Sequence, residues 1–91
     1  MIEKRRGKME VIADILRSIQ DKEGKIKPTH LLYKSNLSHA KLKEYASILL
    51  EKGMIEERLV KGRKMFFMKD QGHKFLLEFE RIKEFSDSFG L

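Results

Sequence analysis

The sequence predicts a small α+β domain, mainly α, in which three helices lead into a two-stranded β-hairpin and a C-terminal helix. Three observations carry that prediction. Residues 36–53 hold Leu42, Tyr45, Ala46, Leu49 and Leu50 at spacings of three and four, between an N-capping Ser38 and a left-handed stop at Gly53, which specifies one amphipathic helix. Beyond Gly53 the period changes: residues 54–60 and 65–68 are rich in strand formers and flank the glycine-containing stretch 61–64. A chain of 91 residues without cysteine has room for one domain with a single core, and no disulfide or cysteine-based metal framework to support it.

Residues 3–8 are a mixed charge run, too short and too polar to pack, and residues 1–7 read as a flexible basic arm. Its Lys4, Arg5 and Arg6, with Lys8, offer a means of reaching into a minor groove. From Lys8 to about Lys22, Met9, Ile12, Ala13, Ile15, Leu16 and Ile19 follow helical spacing, and Asp21-Lys22-Glu23-Gly24 ends that helix. After a loop at 24–27, Pro28 stands in the first turn of a short helix, where its missing N–H is harmless. Leu31 and Leu32 turn inward on it, and Asn36 closes it. A short helix, a turn of about three residues with a buried Leu37, and a longer helix make a helix-turn-helix.

In the hairpin, Ile55, Leu59, Phe66 and Met68 are expected to share the core face, and the pair must pack on the helices because a lone hairpin is marginal. Asp70 is the expected cap of the last helix. On that helix Phe75, Phe79, Ile82 and Phe89 lie four, three and seven apart, with Ser86 in the intervening slot and Leu76 and Phe85 widening the seam. A domain this small has little room for four phenylalanines from one helix. The start of the stripe is therefore expected to close the core and its end to meet a second copy. The expected organisation is an arm at 1–7, a domain at 8–71, and a dimerisation helix at 72–91 packed on the same domain.

Lysine and arginine number 20 against 14 acids, a formal charge of +6, which favours an anionic partner. Lys22, Lys25, Lys27, Lys34, Lys41 and Lys43 fall in the helical middle, and Lys61, Arg63 and Lys64 at the hairpin tip, while the segment from Phe75 onward is net acidic. His39, Lys41 and Lys43 occupy the first two turns of the 36–53 helix, away from its apolar face. Cations at the positive end of a helix dipole are slightly unfavourable, unless that end meets phosphates and base edges. Three histidines without cysteine give no metal site. No nucleophile has an adjacent base, no glycine-rich phosphate cradle is present, and Glu56 and Glu57 point to opposite faces of a strand, so an enzyme is not expected. Neither a cofactor nor an effector pocket is legible. The apolar run 9–19 is interrupted by Glu10, Asp14 and Arg17, so neither a signal peptide nor a membrane span is expected.

The order of elements, with Leu37-Ser38, LLEKGMIEE running from helix into strand and FFMKDQGHKFL leading into the last helix, resembles the winged-helix family. More narrowly, the block KSNLSHAKLKEYASILLEKGMIE between an N-terminal helix and a terminal helix with a hydrophobic seam is similar to small archaeal winged-helix DNA-binding proteins. That group includes ten-kilodalton chromatin-associated dimers that pair through an antiparallel C-terminal coiled coil. The resemblance covers nearly the whole chain from Lys8. It implies that Ser38, His39, Lys41, Lys43 and Ser47 occupy exposed recognition-helix positions, that Lys61, Arg63 and Lys64 form the wing, and that Lys27 and Thr29 begin a helix crossing the DNA backbone. The terminal helix is shorter than in chromatin-type members, and Ser86 interrupts its seam.

The expected function is a cytoplasmic, nucleoid-associated protein that binds double-stranded DNA and regulates transcription, as a homodimer through Phe75, Phe79, Ile82, Phe85 and Phe89. No cofactor, metal, membrane or small-molecule ligand is expected. A protein–protein interaction module and a low-specificity chromatin-type DNA binder are the alternatives on the same fold. The exposed face of the 36–53 helix offers no arginine, asparagine or glutamine for bidentate base contacts, so sequence specificity is expected to be modest.

Overall fold

A computed structural model describes residues 6–91. The elements, in order, are α1 (Lys8–Gln20), β1 (Lys25–Ile26), α2 (Pro28–Ser35), α3 (His39–Glu51), β2 (Ile55–Val60), β3 (Arg63–Met68) and α4 (Asp70–Ser88). The strands form one antiparallel sheet in the order β1-β3-β2. Helix α1 is the centre of the core, with Val11, Ile12, Ala13, Ile15, Leu16 and Ile19 all buried against α2, α4 and the sheet. Each large aliphatic side chain so enclosed contributes about 1.5–3 kcal/mol relative to exposure. Met9 has the right spacing but is 53% exposed, because it precedes the turns of α1 that its neighbours cover.

The third strand was not expected. After α1 the chain reverses through a left-handed Glu23 (φ 61), with Gly24 N–H donating to the Ile19 carbonyl at 3.0 Å and Glu23 N–H to Gln20 at 3.0 Å. That reversal lays Lys25 and Ile26 beside Phe67 and Phe66 of β3, and Met68 N–H closes the ladder on the Gly24 carbonyl at 2.8 Å. Two residues are too short to show a period, so 24–27 reads as a loop in sequence although Ile26 is a buried core residue.

The basic arm is also corrected in part. Lys4 and Arg5 lie outside the described residues, but Arg6 is packed. Its guanidinium donates to Asp14 at 2.9 Å and to the carbonyls of Ser35 and Asn36 at 2.8 and 2.9 Å, while Arg17 holds the other Asp14 oxygen at 3.2 Å. Arg6 thereby ties α1 to the end of α2, satisfying carbonyls that the helix leaves unpaired. Lys8 is the first residue of α1.

Asn36 ends α2 in the left-handed conformation (φ 53, ψ 48), and the Ser38 hydroxyl accepts from the Lys41 N–H at 3.1 Å to start α3. Leu31 is fully buried, but Leu32 and the turn residue Leu37 are only half-buried, packed on the core's edge. Helix α3 ends in a Schellman motif, with Met54 N–H on the Leu49 carbonyl at 2.9 Å and Gly53 N–H on Leu50 at 3.2 Å.

Strands β2 and β3 pair from Ile55↔Met68 to Val60↔Arg63, which leaves Lys61 and Gly62 alone in the turn. Both have positive φ (53 and 76), as a two-residue type I′ hairpin demands. Arg63 and Lys64 therefore belong to β3 and not to the loop. Leu59 shares a face with Ile55 by alternation but is 75% exposed, because the hairpin runs past the helices before reaching it. The core face ends at Ile55, Phe66 and Met68.

Helix α4 begins at Lys69, whose N–H donates to the Met54 carbonyl at 3.0 Å; the expected cap, Asp70, is the first helical residue, where its charge still suits the dipole. Gly72 is buried in that turn. A Cβ there would meet the Met54 carbonyl oxygen, the Met68 sulfur at 2.9 Å and Leu16 Cδ2 at 3.3 Å. In an exposed helix Gly→Ala is stabilising by about 1 kcal/mol. Here Gly72→Ala is expected to destabilise by about 2 kcal/mol through overpacking, which urea unfolding would measure as a lowered midpoint. An unchanged or raised midpoint would mean that α4 does not dock this closely.

Candidate nucleic-acid interface

Leu42, Ala46 and Leu49 anchor α3 in the core, which fixes what its remaining faces present. His39, Lys43 and Ser47 follow one another at i, i+4 along the flank nearest the β2–β3 hairpin. Lys41, two residues from Lys43 and so nearly opposite on a 3.6-residue helix, lies on the other flank and pairs with Glu44 at 3.4 Å. The two lysines do not form one patch. Between the flanks the outward face carries Ala40, Glu44 and Glu51, all exposed. Helical spacing alone puts the two acids there. An acid facing base edges can accept from the cytosine amino group, whereas one facing a phosphate repels it.

Lys27 is the exposed N-cap of α2, and Thr29 follows in its first turn. The Ser38 hydroxyl is engaged as the α3 cap, which makes its first role local. At the hairpin, Lys61 stands at the tip. Lys64 shares the inward face with Glu57 and Phe66, and pairs with Glu57 at 3.6 Å. Arg63 points with Val60, Arg58 and Met65 to the opposite face. There Arg58 lies 4.2 Å above the Phe67 ring and is ion-paired with Glu56, which adds a cation to the outer hairpin that composition near the tip did not single out. Of the ten expected contacts, Thr29, His39, Lys43, Ser47 and Lys64 thus surround one groove, while Lys41 and Arg63 lie on other faces and Lys27, Ser38 and Lys61 are not among its lining.

That groove has a volume of about 450 Å³ and lies between α2, α3 and the hairpin, floored by Leu32, Leu42, Ala46, Leu50 and Phe66. No sequence signal announced it, since its lining comes from three elements. The expected dimer stripe on α4 divides in two: Phe75 and Phe79 stack with ring centroids 6.3 Å apart and pack on the core, while Ile82, Phe85 and Phe89 are each about two-thirds exposed. Phe85 and Phe89 lie 4.9 Å apart in a tilted pair. Among the described residues no cluster is placed to hold a metal ion, and no helix is long and apolar enough to cross a membrane.

Comparison with known proteins agrees with this architecture. Sso10a-2 from Sulfolobus solfataricus, described as a DNA-binding protein, superposes with a TM-score of 0.80 at 23% identity, over 92% of this chain and 85% of its own. F93 from STIV, described as a winged-helix DNA-binding protein, gives 0.75 at 14% identity over 88% and 92%. SSV1 F-93 gives 0.67 at 24% identity over 87% and 91%. No protein of curated function matches the chain in sequence. At these identities the structural likenesses speak to fold. The winged helix-turn-helix family model, however, matches residues 5–87, nearly the whole chain, and the protein belongs to the winged helix-turn-helix family.

Proposed function

We propose that this protein binds double-stranded DNA as a homodimer and regulates transcription, each protomer presenting α3 to a major groove and the wing to the flanking backbone. The observation that carries the reading is the convergence of His39, Lys43 and Ser47 of α3 with Lys64 of the wing around one groove, in a chain with net charge +6. The likeness to proteins described as DNA-binding supports it. Lys43 has no acidic partner among the described residues, whereas Lys41 and Lys64 do. Counterion release by the lysines supplies most of the affinity in this reading.

If about six phosphates are neutralised per protomer, log affinity falls with log salt at a slope of about −5. Fluorescence anisotropy of a labelled duplex across a salt series measures this. Lys43→Glu is expected to weaken binding about tenfold or more, and more than Lys41→Glu, because Lys43 adjoins the wing and is not already paired. In the same titration, scrambled and candidate operator duplexes are expected to bind within about tenfold of each other, since strong bidentate base readers are few. A salt-insensitive interaction, or none with folded protein at low salt, would turn the reading toward the protein-association module.

The pairing surface is the distal half of α4, where Ile82 and Phe89 stand seven residues apart beside Phe85. Sedimentation equilibrium is expected to give a dimer for the native chain and a folded monomer for Ile82→Glu/Phe85→Glu, whose sites lie beyond the core. A native monomer at high micromolar concentration would overturn the dimer.

A further inference from the structure

The groove between α2, α3 and the wing is unlike the rest of the surface around it. Its floor is aliphatic and aromatic, from Leu32, Leu42, Ala46, Leu50 and Phe66, yet it opens on the face that carries the cations. A sugar–phosphate backbone laid across that mouth meets the lysines and leaves the apolar floor uncovered. Leu42, Ala46 and Phe66 are buried core residues and Leu32 and Leu50 are half-buried, so the floor is a narrow apolar strip at the bottom of a concavity. The volume of about 450 Å³ falls within the range of small-molecule sites, roughly 300–1,000 Å³.

The charges on the rim narrow the occupant. On the wing side, Lys64 is paired with Glu57 at 3.6 Å. On the α3 side, Lys43 has no acidic partner among the described residues and His39 lies one turn before it. The cation on this rim without an acidic partner among the described residues is therefore Lys43, with a hydrogen-bonding imidazole beside it. We infer that the groove binds a compact hydrophobic carboxylate, its apolar body on Leu32, Leu50 and Phe66 and its carboxylate paired with Lys43, and that such a ligand competes with DNA. The competitive half rests on the DNA-binding reading; the site itself does not.

The test separates the two. The chain contains no tryptophan, so 2-naphthoate fluorescence is read against tyrosine alone, and amide shifts in an ¹⁵N-labelled sample locate the ligand. The expected result is saturable binding of 2-naphthoate, with shifts concentrated on residues of α2, α3 and β3 that line the groove. The neutral counterpart 2-naphthalenemethanol is expected to bind about tenfold more weakly, and Lys43→Met to abolish that difference while leaving the apolar affinity. Shifts centred on Ile82, Phe85 and Phe89, or equal affinity for acid and alcohol, would overturn the site. With the site located, 2-naphthoate at saturation is expected to raise the apparent Kd for a labelled duplex at least several-fold. A located ligand that leaves DNA affinity unchanged would overturn the competition and keep the site, whereas loss of DNA binding without ligand would already have failed the DNA titration.

Discussion

The close approach of α4 to the junction between α3 and β2 is the contact on which the rest of this fold depends. At Gly72 the absence of a side chain lets a helical turn rest on the Met54 carbonyl, with Met68 and Leu16 closing around it. Three elements meet there: the strand that leads into the wing, the strand that leads out of it, and the central helix. A domain of this size has one core and no second hydrophobic layer to absorb a displaced helix. The direction in which α4 leaves the body is therefore settled within its first turn. The same turn decides which of its phenylalanines are covered by the domain and which are left bare.

Helix α3 is held from both ends by local chemistry. Arg6 joins α1 to the last carbonyls of α2 at the corner, and the Schellman motif at Gly53 sends the chain directly into β2. Between these fixed ends, Leu42, Ala46 and Leu49 fix the rotation of α3. Rotation matters more than position, because the exposed circumference is not uniform. One flank is a partly unpaired basic edge facing the wing, the centre is acidic, and the other flank is a lysine already engaged by Glu44. A turn of the helix by a single residue would exchange these faces.

Elements long enough to show a period were legible in the sequence: α1, α3, the hairpin and α4 follow from spacing, Pro28 and Asn36 bound α2, and Ser38 and Gly53 bound α3. What escaped was of two kinds. Short pieces such as β1 carry no period, and Arg6 looks like solvated charge until the α2 carbonyls it binds are brought near by the fold. Reach was the other failure, since Leu59 has the correct parity but stands beyond the end of the core. The candidate interface was legible as residue types and not as an arrangement. Lys41 and Lys43 look like one cluster in the chain and are separated by the helix, whereas the groove, assembled from α2, α3 and β3, has no counterpart in any single stretch.

Lys61 holds a left-handed conformation at the wing tip, with φ of 53 beside a Gly62 at 76. For a side chain with a Cβ that geometry costs about 1–2 kcal/mol, which glycine would avoid and asparagine would reduce. The hairpin carries this cost at its most remote point, where no packing compensates it. Glu23 and Asn36 hold the same conformation where the chain leaves α1 and α2, so in all three places it serves to reverse the chain. In this protein the side chain in question is a positive charge at the end of a stiff two-residue turn, so the turn itself fixes where that charge stands.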